Sequence, residues 1–460
     1  MNQLNRLLNR LYEKQKSSKE CIIFENSFTY KDLFTEIELW SQKLSEAGAK
    51  PGFLFAVNVH NSVTFIAVIL ASWKLDCRVL ILDTRLKVNE VEEILSKVNP
   101  HIMISSMESP NMLSSFMEKV TTQIECRHNA PIADHDRILL LTSSGSTGAP
   151  KIIGRSELSL YEELVRTQKF DGAIQESDRV LILNSISYAY GFIAGVLQTL
   201  YVGGTLIFST NRTSDMIHAI TTHGVTVLLG VPSQYEMINK NHKSIGEHHI
   251  RVAICAGESL SELIQHDWSH KFGIPVGQMY GMSEMGTISV DMLGINPRSV
   301  GKVADDISIK IVEDQIWIRT DPDPYLYHSG EGRYVDGWLR TYDCGELDSS
   351  YLHVKGRFDS LVIINGLKVH LTEIEHTLKL MPQIEEVYAK TNESKQIVVM
   401  LTAKEGFELS EALRWCRERL ANYKVPRKYF WVRSLPKTSS GKLARKDHST
   451  LEFLDTLEVI

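Results

Sequence analysis

The feature that most constrains this chain is an alternation between about residues 50 and 290, where short β-branched stretches are separated by helical pattern. Candidate strands fall at 78–82, 101–105, 137–141, 179–183, 205–208, 226–229 and 251–256, each ending in a turn rich in Ser, Gly, Asn, Pro or Thr. This is the pattern of an α/β domain with parallel-rich sheets packed with helices. Ligands bind such domains at the loops that leave the carboxyl ends of the strands. At 460 residues the chain exceeds one ordinary core, so at least two folded units are expected.

Beyond residue 290 the pattern changes. Ile307-Ser-Ile-Lys-Ile311, a turn through Glu313 and Asp314, and Ile316-Trp-Ile318 alternate with period 2, as in a hairpin of a small β-barrel-like part. From about Asp359 a small α+β unit follows. Its expected elements are a strand at 361–364, a helix from Thr372, strands near 385–389 and 396–401, and a helix at 411–420 begun by Ser410. The expected domains are therefore 1–357 and 358–460.

Bulk properties narrow the class. Fifty basic against 56 acidic side chains give a net charge of −6, which points to neither nucleic acid nor an anionic membrane as partner. Leu4, Leu7, Leu8 and Leu11 form one face of an N-terminal amphipathic helix that lacks the apolar core of a signal peptide. The apolar run 63–73 is too short to span a membrane. Six scattered cysteines without CxxC spacing suggest reduced thiols, no zinc site and a cytoplasmic location.

Four segments carry chemistry. Leu141-Thr-Ser-Ser-Gly-Ser-Thr-Gly-Ala-Pro-Lys151 follows an apolar strand and gathers hydroxyls, exposed backbone N–H groups and a lysine, the makings of an anion cradle. It is neither a Walker A loop nor a nucleophile elbow, and a plain Ser/Gly connector is its competing reading. Gln278-Met-Tyr-Gly-Met-Ser-Glu284 offers a flat aromatic face for a purine and, in Glu284, a hard oxygen ligand for Mg²⁺; a core strand running into a turn is its alternative. Thr341-Tyr-Asp-Cys-Gly345 and Gly356-Arg-Phe-Asp359 place Asp343 where it can accept ribose hydroxyls, with Arg357 nearby, or else form a surface hairpin. Leu435-Pro-Lys-Thr-Ser-Ser-Gly-Lys-Leu-Ala-Arg445 holds Lys442 on a flexible arm, or is a solvated basic tail.

Together and in this order, these segments resemble the adenylate-forming superfamily of acyl- and aryl-CoA ligases, nonribosomal peptide synthetase adenylation domains and luciferase-type enzymes. The likeness spans nearly the whole chain, from Phe28-Thr-Tyr-Lys-Asp-Leu33 through Glu373-Ile-Glu375 to Tyr423-Lys-Val-Pro426, and is greatest to compact acyl- or aryl-acid ligases. It implies a large N-terminal domain, a small mobile C-terminal domain, and use of ATP and Mg²⁺ to make an acyl-adenylate. The acyl group would then pass to coenzyme A, or to the phosphopantetheine of an acyl carrier protein.

The resemblance also implies residue roles. Ser143, Ser144, Gly145, Ser146, Thr147, Gly148 and Lys151 would handle the β- and γ-phosphates. Gly257 and Glu258 would contact adenine, with Tyr280 and Gly281 beside it, while Ser283 and Glu284 would hold the α-phosphate and Mg²⁺. Asp343 and Arg357 would grip the ribose, Asp359 would be the hinge, and Lys442 would bridge the substrate carboxylate and the α-phosphate.

Three positions depart from the commonest pattern. Tyr342 replaces a glycine, Ser143-Ser144 vary the phosphate loop, and Tyr188 stands where many acyl-CoA ligases carry a histidine. The stretch Asn184-Ser-Ile-Ser-Tyr-Ala-Tyr-Gly191 contains no aspartate to pair with a substrate ammonium, which favours an acid without an α-amino group over amino-acid adenylation. Tyr188, Tyr190, Gly191, Phe192, Ala256, Met279 and Met282 are the expected pocket wall, suited to an aryl or short-to-medium acyl chain.

Overall fold

The computed structural model describes residues 5–108, 116–127, 136–143, 151–241, 247–257, 260, 262–327, 332–357, 361–435 and 453–458. A helix buried on every side organises the larger part of the chain. In Val63–Lys74 every residue from Val63 to Trp73 is buried, and Ser62 caps the start by accepting the Phe65 N–H at 2.9 Å. This is the apolar run that was too short for a membrane. No helix among the described residues is long and apolar enough to cross one.

Two sheets contribute to the same hydrophobic cluster as that helix. In the first, Leu54–Asn58, Arg78–Ile81, Ile102–Ser106 and Arg137–Ser143 run parallel, with Thr122–Cys126 antiparallel at one edge. In the second, Glu20–Ile23, Thr205–Ile207, Arg179–Ile182, Val227–Gly230, Val252–Ala256 and Val276–Met282 are successive parallel neighbours. The ladder then turns antiparallel through Gly286–Asp291 and Lys302–Val303 and continues to Tyr351–Arg357, Trp338–Asp348, Gln315–Arg319 and Ile309–Val312. The expected barrel-like part thus takes the form of an antiparallel extension of this sheet, and no closed barrel is required to describe it.

Contacts group the described residues into two compact units. One lies within Met1–Thr84, Val98–Thr142 and Ile152–Phe358; the other lies within Arg85–Lys97, Ser143–Lys151 and Asp359–Ile460. In the second unit, Ile384–Thr391, Ile397–Ala403, Lys428–Val432 and Phe453–Glu458 form a four-stranded sheet, and the helices Leu371–Lys379 and Leu409–Arg419 flank the same core. The second helix starts at Leu409 with Glu408 as its N-cap, two positions earlier than Ser410 suggested. Burial of Leu409, 6% exposed, sets that start in place of a hydroxyl cap.

The two acidic residues of Glu373-Ile-Glu375 and the lysine after Tyr423 have structural partners here. Lys424 Nζ donates to Glu373 Oε1 at 2.7 Å and Glu90 Oε1 at 2.8 Å, while Glu375 Oε1 accepts the Ala389 N–H at 2.9 Å. Burial lifts the Glu373 carboxyl above its ordinary value. It also draws Lys424 down, but the facing carboxylates more than offset this and hold the ammonium above its usual range. The cysteines are free, and burial pushes the Cys77 thiol up to about 12 and that of Cys416 to about 11, so both stay protonated near neutrality.

Trp73 ties the central helix to the first sheet and to the helical segment Tyr190–Leu197. Its Nε1–H donates to Ile138 O at 3.1 Å, and its ring meets Phe192 edge-on at 6.1 Å. Trp73→Ala is expected to lower the unfolding free energy by about 3–5 kcal/mol, read as a reduced urea midpoint at unchanged slope.

Candidate functional site

The carboxyl ends of the parallel strands in the second sheet carry the candidate residues. Val252–Ala256 ends in buried Ala256 and is followed by Gly257, whose φ of +89° is a left-handed turn that favours glycine. Val276–Met282 ends in Tyr280, Gly281 and Met282. Here the backbone pairs so closely with Gly286 that a Cβ at Gly281 would sit 2.6 Å from the Gly286 carbonyl oxygen. The turn that follows, with Ser283 and Glu284, leads into Gly286–Asp291.

A buried ion pair holds this turn. Arg155 Nη2 lies 2.9 Å from Glu163 Oε2, and both side chains are 3% exposed. Glu163 Oε1 accepts the Thr287 N–H at 2.9 Å, and Arg155 Nη1 reaches Ser283 O at 3.5 Å. Gly286, at φ +74°, allows the approach, since a Cβ there would lie 1.9 Å from a Glu163 carboxylate oxygen.

Glu284 is itself buried, with a side chain 5% exposed. Its Oε1 accepts the Tyr325 hydroxyl at 2.7 Å, and Arg333 Nη1 lies 3.9 Å away. Burial first, and the Glu284 charge second, push the Tyr325 phenol far above its usual value, so it remains a donor. One carboxylate oxygen is thereby fixed in orientation.

Asp343 Oδ2 accepts the Tyr280 hydroxyl at 2.6 Å, and the Asp343 N–H donates to Thr341 Oγ1 at 3.0 Å. A carboxylate has about four acceptor positions, so Asp343 can accept more donors than the Tyr280 hydroxyl alone. Tyr342, where a glycine was expected, keeps a left-handed φ of +60°, and the Arg333 guanidinium sits 4.7 Å over its ring. The departure from glycine therefore costs backbone strain, offset by cation–π packing, and leaves Asp343 on its strand.

The remaining candidates divide. Lys151 is buried at the start of Lys151–Ser156, and Arg357 pairs with Asp343 in the strand register. Ser144, Gly145, Ser146, Thr147, Gly148, Glu258, Asp359 and Lys442 lie outside the described residues, as do the side chains of Ser143 and Arg357. Tyr188 is half-buried and donates its hydroxyl to Asp83 Oδ2; Tyr190 donates to Ile254 O at 3.1 Å. Gly191 folds so tightly that a Cβ would meet Ser185 O at 2.2 Å. Phe192 departs from the expected pocket wall: fully buried, it packs edge-on against Phe65 and Trp73 in the core. Asp83, Tyr325, Arg333 and the Arg155–Glu163 pair escaped the sequence reading, because nothing local in the sequence marks partners so far apart.

Among the described residues no group of three or more His, Cys, Asp or Glu side chains could hold a metal alone. Magnesium commonly takes only one or two carboxylates together with substrate phosphates. A single oriented carboxylate at Glu284 fits that mode.

Known proteins resemble this chain over most of its length. Residues 10–316 match the AMP-binding enzyme family, and residues 373–442 match the AMP-binding enzyme C-terminal domain. The chain is 23% identical to 2-succinylbenzoate–CoA ligase of Bacillus subtilis, over 92% of this chain and 93% of that protein. It is 26% identical to oxalate–CoA ligase of Arabidopsis thaliana, over 88% of this chain and 90% of that protein. A solved o-succinylbenzoate CoA synthetase from Bacillus subtilis, bound to a product analogue, superposes with a TM-score of 0.82 at 23% identity, over 95% of this chain and 97% of that one. At that identity the superposition speaks for the fold.

The geometry makes Glu163 the keystone of the turn. Glu163→Ala leaves Arg155 buried without its counter-charge and is expected to cost about 3–5 kcal/mol, read by equilibrium denaturation.

Proposed function

The chain belongs to the AMP-binding enzyme family, and on that premise we propose that it is an acid–thiol ligase that activates a carboxylic acid with ATP and passes the acyl group to coenzyme A. The observation that carries this reading is the Tyr280–Asp343 hydrogen bond, 2.6 Å long, at the end of the strand that leads directly to buried Glu284. An aromatic face, a ribose acceptor and a cation ligand thus follow one another at one end of one sheet. The named ligase relatives support the same chemistry, with an aryl or short-to-medium acyl acid as substrate.

In this reading the substrate carboxylate attacks the α-phosphorus of ATP and pyrophosphate leaves. The barrier is chiefly the meeting of two anions. Asp343 and Arg357 orient the ribose, and Tyr280, Gly281, Gly257 and Glu258 receive the adenine. Ser143, Ser144, Gly145, Ser146, Thr147, Gly148 and Lys151 take the outer phosphates, and Ser283 the α-phosphate. Glu284 supplies the protein ligand for Mg²⁺, which when bound screens phosphate charge. Lys442 supplies the cation that neutralises carboxylate and α-phosphate together. Tyr188, Gly191, Ala256 and Met282 bound the acid. The working domains are 1–357, for nucleotide and acid, and 358–460, which carries Lys442 and turns about Asp359. The protein works in the cytoplasm, where its free thiols stay reduced.

Hydroxylamine trapping over aryl, fatty and amino acids with ATP tests this reading. Hydroxamate from an aryl or fatty acid is the expected result; product from amino acids alone would overturn the substrate class. Thioester formation with coenzyme A and with a phosphopantetheinylated carrier protein, compared directly, decides the acceptor. Lys442→Ala is expected to abolish adenylate formation while ATP still binds. Asp343→Ala should weaken ATP binding by about 2–4 kcal/mol in calorimetry.

A further inference from the structure

Within the larger unit, three loops at strand ends are stitched together by side chains, of which only Tyr188 has a part in the proposed function. His60-Asn61 follows Leu54–Asn58, Asp83 follows Arg78–Ile81, and the 184–191 stretch follows Arg179–Ile182, so the first two loops leave one sheet and the third leaves the other. Asn61 Nδ2 donates to Ser185 Oγ at 3.0 Å, and Ser187 Oγ donates back to Asn61 Oδ1 at 3.0 Å. One residue farther on, Tyr188 crosses the same gap to reach Asp83 Oδ2.

The two partners in that last contact are unlike. Asp83 is 8% exposed, whereas Tyr188 is half-buried. A phenol on a loop ordinarily samples several rotamers, and a hydrogen bond to a buried acidic side chain is strong enough to select one. The neighbouring Asn61–Ser185–Ser187 bonds fix the backbone that carries Tyr188, and the close fold of Gly191 against Ser185 O limits the far end of the stretch. The bond to Asp83 then constrains the direction of the Tyr188 ring.

We propose that Asp83 is a positioning residue for acid binding: by accepting the Tyr188 hydroxyl it holds the aromatic ring as a fixed wall of the acid site, and so determines which acyl groups fit. This inference rests on the function proposed above, in which Tyr188 bounds the acid. It adds a residue from the other sheet that touches neither nucleotide nor reacting atoms.

The test compares wild type with Asp83→Ala, Asp83→Asn, Tyr188→Phe and the Asp83→Ala/Tyr188→Phe double variant. It uses hydroxamate formation with benzoate, phenylacetate and hexanoate, together with thermal unfolding. Loss of a hydrogen bond of this type should raise KM for the best of these acids about tenfold in Asp83→Ala and Tyr188→Phe. KM for ATP should stay within about twofold, because the loop is anchored separately by Asn61. The double variant should be no worse than the poorer single one, since both remove the same contact. Asp83→Asn should recover most of the acid affinity, because its amide oxygen still accepts the phenol.

An unchanged KM for the acid in Asp83→Ala overturns the proposal. So does a parallel rise in both KM values with a lowered Tm, which would make the contact a fold tether only. Additive effects in the double variant, or Asp83→Asn as poor as Asp83→Ala, overturn it too. Absence of hydroxamate in wild type with every acid counts against the parent reading, is seen before any variant is compared, and removes this inference with it.

Discussion

The buried pair of Arg155 and Glu163 is the contact on which the candidate site most depends. Two charges held away from water are stable only when their remaining donors and acceptors are also satisfied. Here they are satisfied by the turn itself, through the Thr287 N–H and the Ser283 carbonyl. The same bonds that neutralise the pair therefore fix the backbone on both sides of Glu284. The proposed role of Glu284 as a cation ligand needs a carboxylate that is ordered and aimed. The pair supplies the order, and Tyr325 supplies the aim.

Around that turn the site is assembled from both halves of one long ladder. The parallel half brings Ala256, Gly257 and Tyr280 to a common edge, where loops of α/β sheets open toward ligands. The antiparallel half brings Asp343 back against Tyr280 across 63 positions of sequence. A parallel sheet alone would present the Tyr280 ring without Asp343. The reversal at Gly286–Asp291 is what lets a later hairpin strand deliver it.

Much of this was legible in the sequence, and for identifiable reasons. The strands at 78–82, 179–183, 205–208, 226–229 and 251–256 were visible because parallel strands covered on both faces are nearly unbroken runs of Val, Ile and Leu. Tyr280, Glu284 and Asp343 were visible because short motifs carry them. Less accessible were residues defined by distant partners. Asp83 meets Tyr188 across 105 positions, and Glu284 meets Tyr325 across 41, with no periodicity linking them. Phe192 was misplaced for a related reason: aromatic residues suit a pocket and a core equally, and only the neighbouring Phe65 and Trp73 decide between them. The start of the helix at Leu409 followed burial instead of the hydroxyl two positions inside the pattern.

Gly286 has a bearing on how such an enzyme can diversify. With the Glu163 carboxylate pressed against the place where a side chain would begin, any other amino acid there must displace the carboxylate that faces Arg155. The turn around Glu284 is thus held by mutually dependent residues, in which a single step disturbs several contacts. Under the proposed function, novelty in the acids accepted arises instead along the 184–191 stretch, where side chains meet one another through separable bonds.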